Sequence, residues 1–564
     1  MHLNIHATPE NTYDAIVIGS GVSGGWAAKE LTEKGLKTIV LERGRMVEHV
    51  TDYPTATLDA WQMPHRGRVP LVDRQAAPMQ SKVYNYHEGS KHFYIRDVDH
   101  PFQEIKPFDW IRGYQVGGRS LLWGKQTYRW SDLDFEANAK DGYGVDWPIR
   151  YADLAPWYSY VEKFAGISGS KENIPVLPDS EFLPPMEMNI LEKHVAQRIK
   201  EHYKGDRHMI IGRVAHLTVP HNGRGSCQYR NRCERGCPYG AYFSSNSSTL
   251  PAAKATGNLT IRPFSIVHSI IYDESTKKAT GVKIIDTETM QTYDYYARII
   301  FCNASTLGTA AVLMNSTSTR FPNGLGNDSG QLGHNLMDHH YGVGAYADTD
   351  DFPEFYTYGN RPNGTYIPRF RNVNDSDKRG YLRGFGYQGG ASRGRSNNDE
   401  GIGATLKENL TEPGKWSFGI GSWGEHLPYF ENKATLNFTK KDKWGLPTLD
   451  IDCEFKENER LMRKDMAADA AEMLEAAGLK NIGTYDSSPA PGFCIHEMGT
   501  ARMGRDPKTS ILNAHNQMHA CKNVFVTDGA CMASNGVVNP SLTYMALTAR
   551  AVDFAVEELK KGNL

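Results

Sequence analysis

The first legible pattern is a short, uninterrupted apolar run at residues 13–18 (YDAIVI), stopped by Gly19. A run that short, without polar alternation, predicts a strand buried on both faces, as in a parallel sheet. Over 23–34 the apolar positions Trp26, Ala27 and Leu31 recur at helical spacing, and Gly35 supplies a C-terminal stop. Residues 37–41 (KTIVL) return to strand character and complete a βαβ unit. Further along, 259–285 and 293–302 read as strands around the turn-rich DESTKKATG. Residues 345–450 are rich in aromatics and glycine with little helical periodicity, which predicts a large sheet with long loops. An amphipathic helix is predicted over 456–477, its stripe of Leu461, Met462, Met466, Ala470 and Met473 assigned to core. A strand at 524–527 and a helix over 541–560 close the chain.

The turn between the first strand and helix reads Gly19-Ser20-Gly21-Val22-Ser23-Gly24. Gly19 permits a tight turn, Gly21 lets backbone amides approach a pyrophosphate, and Gly24 lets helix and strand pack closely. The helix N-terminus adds a positive dipole. Glycine-rich turns are common, and an ordinary turn followed by a surface glutamate is the plain alternative. Here Glu42 ends the second strand 18 positions after Gly24, near the spacing of about 20 for a ribose-hydroxyl acceptor. The turn alone does not separate FAD from NAD.

At 564 residues the chain exceeds one ordinary core and predicts two joined domains. Its 40% hydrophobic, 23% charged composition is that of a globular protein, and a net charge of −2 gives no reason to expect nucleic acid or a membrane surface. No apolar run approaches the roughly 20 residues of a spanning helix. Residues 1–12 are polar and do not read as a signal peptide, so a cytoplasmic location is expected, or a periplasmic one if a partner subunit carries the export signal. Five of the eight cysteines are scattered, as buried small hydrophobes are. Cys227, Cys233 and Cys237 fall within eleven residues and need another account.

Four segments together resemble the glucose-methanol-choline (GMC) oxidoreductases: the βαβ unit; Gly113-Tyr114-Gln115-Val116-Gly117-Gly118-Arg119-Ser120; His496-Glu497-Met498-Gly499-Thr500-Ala501-Arg502-Met503-Gly504; and Asp528-Gly529 with Asn539-Pro540-Ser541-Leu542-Thr543. They span nearly the whole chain. The resemblance implies an α/β FAD-binding Rossmann-like domain (1–335 with 485–564, carrying the cysteine segment 224–240). An α+β substrate-binding domain would take 336–484 with parts of 50–110 and 150–205. It implies FAD held by Gly19, Gly21, Gly24, Glu42, Gly117, Gly118, Ser120, Val267, Asp528, Gly529, Pro540 and Ser541. Glycine removes side chains where backbone meets a phosphate or a flat ring. Asp528 suits the ribityl hydroxyls, and the helix opening at Pro540-Ser541 points its N-terminus at the flavin pyrimidine. Covalent attachment through a residue such as His92 has no support in the sequence.

Oxidising an alcohol requires a base for the O–H proton and an acceptor for the C–H hydride; flavin N5 would be the acceptor, and a histidine suits the base. By resemblance His496 is that base, and Asn539 hydrogen-bonds the same substrate oxygen. Many family members carry a second histidine at the Asn539 position; the His/Asn version resembles the sugar-oxidising branch, including pyranose 2-oxidases and the gluconate, sorbitol and glucose dehydrogenases. His339 and His340 read as structural histidines, and Arg502 as one half of a buried ion pair holding the loop, with a catalytic role as the alternative.

The segment Cys227-x5-Cys233-x3-Cys237-Pro238 is close to the ferredoxin run C-x2-C-x2-C-x3-C-P, with Arg230 where the second cysteine would stand. A missing thiolate makes a three-iron [3Fe-4S] cluster natural, and Arg224, Arg230, Arg232 and Arg235 suit an anionic group. Zinc on the three thiolates, and a cluster-free relic with free thiols or a disulfide, stand as alternatives. The pattern resembles the cluster segment of FAD-dependent glucose and gluconate-type dehydrogenases. The resulting expectation is a dehydrogenase that oxidises a secondary ring hydroxyl of a sugar or glycoside, with glucoside 3-oxidation preferred. Electrons would leave through the cluster to a cytochrome c or quinone, with a small accessory subunit as a further partner. Gluconate, sorbitol or glucose dehydrogenases and a peroxide-producing oxidase of the same fold are the alternatives. Phe352, Phe355, Tyr356, Tyr358, Trp416, Trp423 and Tyr429 are candidates to stack on a sugar face.

Overall fold

The computed structural model describes residues 8, 10–357, 359–374, 377–396 and 399–564. The first apolar run forms the strand Ala15–Ile18, buried throughout, at the centre of a five-stranded sheet. Across that sheet the order is Val524–Phe525, Ile299–Cys302, Ala15–Ile18, Thr38–Leu41, Leu259–Arg262, with every neighbouring pair parallel. Parallel neighbours need crossover connections, so strands hundreds of residues apart meet here. The helix Val22–Glu33 follows the first strand and buries Trp26, Ala27 and Leu31; Gly35 beyond it takes φ +87°, which stops the helix. The closing helix Ser541–Lys560 packs against it. This is the expected Rossmann-like α/β core.

The predicted strand run over 259–285 divides. Leu259–Arg262 joins the parallel sheet; then Phe264 turns with φ +55°, and Ser265–Asp273, Lys278–Asp286 and Thr292–Tyr296 form a separate antiparallel sheet.

The second large sheet has six antiparallel strands in the order Lys480–Asp486, His340–Thr349, Pro413–Gly424, Phe385–Arg395, Thr365–Ile367, Ile210–Ile211. It begins before residue 345. Residues near 433–452, expected in it, leave to form another sheet: Lys433–Lys441 pairs antiparallel with Pro447–Asp452, which pairs in turn with Gln103–Glu104. The helix Glu457–Ala476 covers the six-stranded sheet, and Met462, Met466, Ala470 and Met473 are fully buried against Val343, Phe385 and Tyr387. The methionine stripe is core. Among the described residues no helix is long and apolar enough to cross a membrane.

Truncating one of these methionines removes buried volume that its neighbours fill only in part. Met466→Ala is expected to lower unfolding stability by about 2–5 kcal/mol, read as a shift of the denaturant midpoint at constant slope.

Candidate active site

A single cavity of about 730 Å³ runs along the C-terminal edge of the parallel sheet, and most of the residues singled out in the sequence line it. Glu42 and Val267 both line it; Ser265 donates its N–H to the Glu42 carbonyl (2.8 Å), which sets the two segments side by side. Gly19, Gly21, Gly118 and Ser120 line it too, as do Asp528, Gly529, His496, Asn539, Pro540 and Ser541.

Gly24 and Gly117 do not line it; their work is packing. A Cβ on Gly24 would sit 2.0 Å from the Gly19 carbonyl oxygen. Gly117 has φ +95°, and a Cβ there would lie 1.7 Å from Asn246 Oδ1. Gly21 instead faces open space, with nothing within 4 Å of a Cβ. The helices starting at Val22 and Ser541 both lack a side-chain cap, so their first amides are left for a ligand. A free cradle at Gly21 and two uncapped helix N-termini on one cavity fit a dinucleotide with an anionic centre.

The two glycine turns are tied together by residues that the sequence reading passed over. Ser20 Oγ donates to Glu42 (2.5 Å) and accepts the Gly117 N–H (2.9 Å), while Ser20 N–H also donates to Glu42 (3.1 Å). Asn246 Nδ2 donates to the carbonyls of Val47 (2.8 Å) and Val116 (2.9 Å), and Ser245 donates from Oγ to Gly21 O (2.9 Å) and from N–H to Ser120 Oγ (3.0 Å). Glu42 is buried, which raises its carboxyl pKa against these donors. Arg119 bonds both Glu497 oxygens (3.0 and 2.8 Å) and so joins the second turn to the histidine loop.

That loop is held by one carboxylate. Asp338 accepts the N–H groups of Gly492 (2.8 Å), Cys494 (3.1 Å) and His496 (2.9 Å). Burial, and then the nearby Glu497, push its pKa up to about 8. Ile495, immediately before His496, takes φ +65°, a left-handed conformation that a β-branched residue adopts only under constraint. His496 Nδ1 lies 3.0 Å from His339 Nδ1, and His339 Nε2 lies 2.9 Å from the Gly536 carbonyl. The network sets the tautomers. His339 must carry its proton on Nε2 to reach a carbonyl, so its Nδ1 accepts, His496 Nδ1 donates, and His496 Nε2 is left unprotonated, as an acceptor. Nε2 faces Asn539 Nδ2 at 3.5 Å, and Asn539 Oδ1 accepts from Gln388 Nε2 (2.7 Å). Burial, followed by His339 and Arg119, lowers the His496 pKa well below the ordinary histidine value.

Three readings change. His339 is not merely structural: it orients His496 from 157 positions away, a pairing with no sequence signal. His340, by contrast, is fully buried. Among the described residues Arg502 has no ion pair; it donates to Thr509 O (3.1 Å) and Asn335 Oδ1 (2.9 Å). Of the candidate aromatics only Trp423 lines the cavity, beside Tyr341 and Phe493 in a stacked row. Trp416 and Tyr429 are buried, Phe352 is packed on the second core, Phe355 and Tyr356 are exposed, and Tyr358 lies outside the described residues. His92 does not line the cavity.

Cys227, Cys233 and Cys237 line a second, small cavity of about 30 Å³ together with His216, Arg230 and Arg232. All eight cysteines are free, so the disulfide alternative is not realised. Cys233 Sγ lies 3.6 Å from His216 Nε2. Pro362 lines both cavities, and Lys125, buried in the wall of the larger one, has Cys233, Glu234 and Cys237 near its charge.

Two family models, each described as GMC oxidoreductase, match residues 13–341 and 430–548. The chain is 28% identical to 2-methyl-1,2-propanediol dehydrogenase of Mycolicibacterium austroafricanum, over 97% of this chain and 96% of that protein. It is 25% identical to the fructose dehydrogenase large subunit of Gluconobacter japonicus, over 97% and 98%. The crystal structure of pyridoxine 4-oxidase from Mesorbium loti matches with a TM-score of 0.62 at 16% identity, covering 96% of this chain and 99% of that one, a likeness of fold.

Gly117→Ala tests the coupling of the two turns. The added methyl meets Asn246 and a positive φ, so the purified variant is expected to lose most of any bound dinucleotide while far-UV circular dichroism shows a folded chain.

Proposed function

The chain belongs to the GMC oxidoreductase family, whose members bind FAD and act on CH–OH groups, and from that premise we propose that its donor is a sugar or glycoside, oxidised at a secondary ring hydroxyl to a ketone. The observation that carries the proposal is the unprotonated His496 Nε2 set against the Asn539 amide inside the cavity. Glucoside 3-oxidation is the preferred case. A sugar donor is supported by the fructose dehydrogenase relative and by the aromatic row of Tyr341, Trp423 and Phe493 beside the base.

Residues 1–335 with 485–564 would hold the cofactor, and 336–484, which includes Gln388 and Trp423, would face the sugar. FAD would lie against Gly19, Gly21, Glu42, Gly118, Ser120, Val267, Asp528, Gly529, Pro540 and Ser541, and when bound it supplies a two-electron acceptor for the C–H hydride. His496 Nε2 receives the hydroxyl proton. His339 holds the imidazole in the tautomer that allows this, and Gln388 fixes the Asn539 amide so that its N–H groups meet the substrate oxygen. The stacked aromatics exclude water from that end.

Cys227, Cys233 and Cys237 would hold a [3Fe-4S] cluster, which supplies one-electron relay when present. The free thiols around one small cavity, and a buried lysine charge beside them, support that reading. The acceptor would then be a cytochrome c or quinone rather than oxygen, with a small accessory subunit as partner.

His496→Ala should cut kcat/KM for a glucoside by about 10²- to 10⁴-fold while the flavin absorbance is retained. The base works unprotonated, and its pKa is depressed. The wild-type kcat/KM is therefore expected to stay level as pH falls through 6.5 and to drop only at lower pH; a drop centred at or above 6.5 contradicts the assignment. For the cluster, metal analysis should find about three irons with acid-labile sulfide per chain. Both should be lost together in a Cys233→Ser variant, and dye reduction should proceed without matching oxygen uptake.

A further inference from the structure

We propose that His339, Cys494 and His496 form a binding site for a divalent cation of the zinc class, reached from the active-site cavity. One nitrogen from each histidine and the cysteine sulfur all lie within 4.8 Å of one another. His496 Nδ1 is 3.0 Å from His339 Nδ1 and 3.5 Å from Cys494 Sγ. Zinc–nitrogen and zinc–sulfur bonds of about 2.0 and 2.3 Å, set tetrahedrally, put ligand atoms about 3.3–3.6 Å apart. Small side-chain adjustments therefore close three ligands around one ion. Cys494 and His496 line the cavity, which leaves the fourth position to water or a substrate hydroxyl.

The surroundings are those of a prepared site. His339 already directs its other ring nitrogen to the Gly536 carbonyl, the outer contact by which metal-bound histidines are usually oriented. The backbones of Cys494 and His496 are both pinned by Asp338, which fixes the spacing of the two ligands. Arg119, the cation whose charge reaches His496, is paired with Glu497.

Binding has a defined proton balance. Cys494 gives its thiol proton to solvent and coordinates as thiolate. His339 offers Nδ1 without change. His496 must free Nδ1, and the proton held there moves to Nε2. That nitrogen then donates rather than accepts, so it can no longer take the substrate proton, and zinc inhibits. The inhibition rests on the reading of His496 as base; the binding does not.

The test uses flavin-loaded protein carrying Ser at 227, 233 and 237, which removes the other thiol cluster. Equilibrium dialysis against zinc chloride is expected to give one zinc per chain, with affinity falling by about tenfold or more on adding Cys494→Ser or His339→Ala. Zinc-edge X-ray absorption of the unmutated site should show one sulfur and two or three nitrogen or oxygen neighbours, a readout that does not depend on those variants folding. A shell without sulfur, or zinc affinity indifferent to both variants, overturns the site. Each variant's turnover is compared with and without zinc against its own metal-free value. One bound zinc with sulfur in its shell and no inhibition would leave the site standing and overturn the assignment of Nε2 as base.

Discussion

The hydroxyl of Ser20 joins the two glycine turns that face each other across the cavity, and much of the remaining geometry depends on it. It donates to the Glu42 carboxylate and accepts the Gly117 amide, so one buried chain of hydrogen bonds runs from the end of the second parallel strand, through the first glycine turn, to the second. Buried polar groups must be satisfied, and a chain like this has few alternative arrangements. It brings Gly118 beside Gly21, where an added Cβ would come within 3.2 Å of the Gly21 Cα. Two backbones that close leave a groove that side chains do not fill. Asn246 and Ser245 brace it from behind, which makes the cradle a property of three separated segments.

A second set of constraints fixes the histidine loop. Three amides converge on Asp338, and the left-handed backbone at Ile495 is the cost, of order 1–3 kcal/mol, of aiming His496 into the cavity. The Arg119–Glu497 pair is buried on the carboxylate side and would be weak evidence for stability by itself. Its geometry matters more: Arg119 also bonds Ser305, so the second glycine turn, the histidine loop and the start of the helix Thr306–Asn315 share one cation.

The small cysteine cavity and the large one share Pro362 as a wall, and Lys125 lies buried near both. A buried ammonium without an ion-pair partner among the described residues is costly unless something nearby carries negative charge. The Glu234 carboxylate, within the cysteine segment, supplies it, and the Tyr242 ring lies 4.2 Å from the Lys125 ammonium. This gives the cysteine segment an electrostatic tie to the active site that no spacing rule conveys.

What the chain determined by itself is what depends on local pattern. An apolar run ended by glycine, a helix with its stripe of Trp26, Ala27 and Leu31, and the methionines of Glu457–Ala476 follow from periodicity, because strand and helix each bury side chains at a fixed repeat. The motifs at Gly19, Gly117, His496 and Asn539 were legible for a similar reason: each packs its constraint into a few neighbouring residues. Tertiary structure alone decided the rest. It split the strands near Phe264 and moved residues 433–452 to another sheet, since strand pairing is a long-range choice. It also chose which aromatics reach the cavity. His339 meets His496 across 157 positions, and Gln388 meets Asn539 across 151, because side chains from the antiparallel sheet descend onto the edge of the parallel one. Proton position is set by such partners, and partners are found only after the chain has folded.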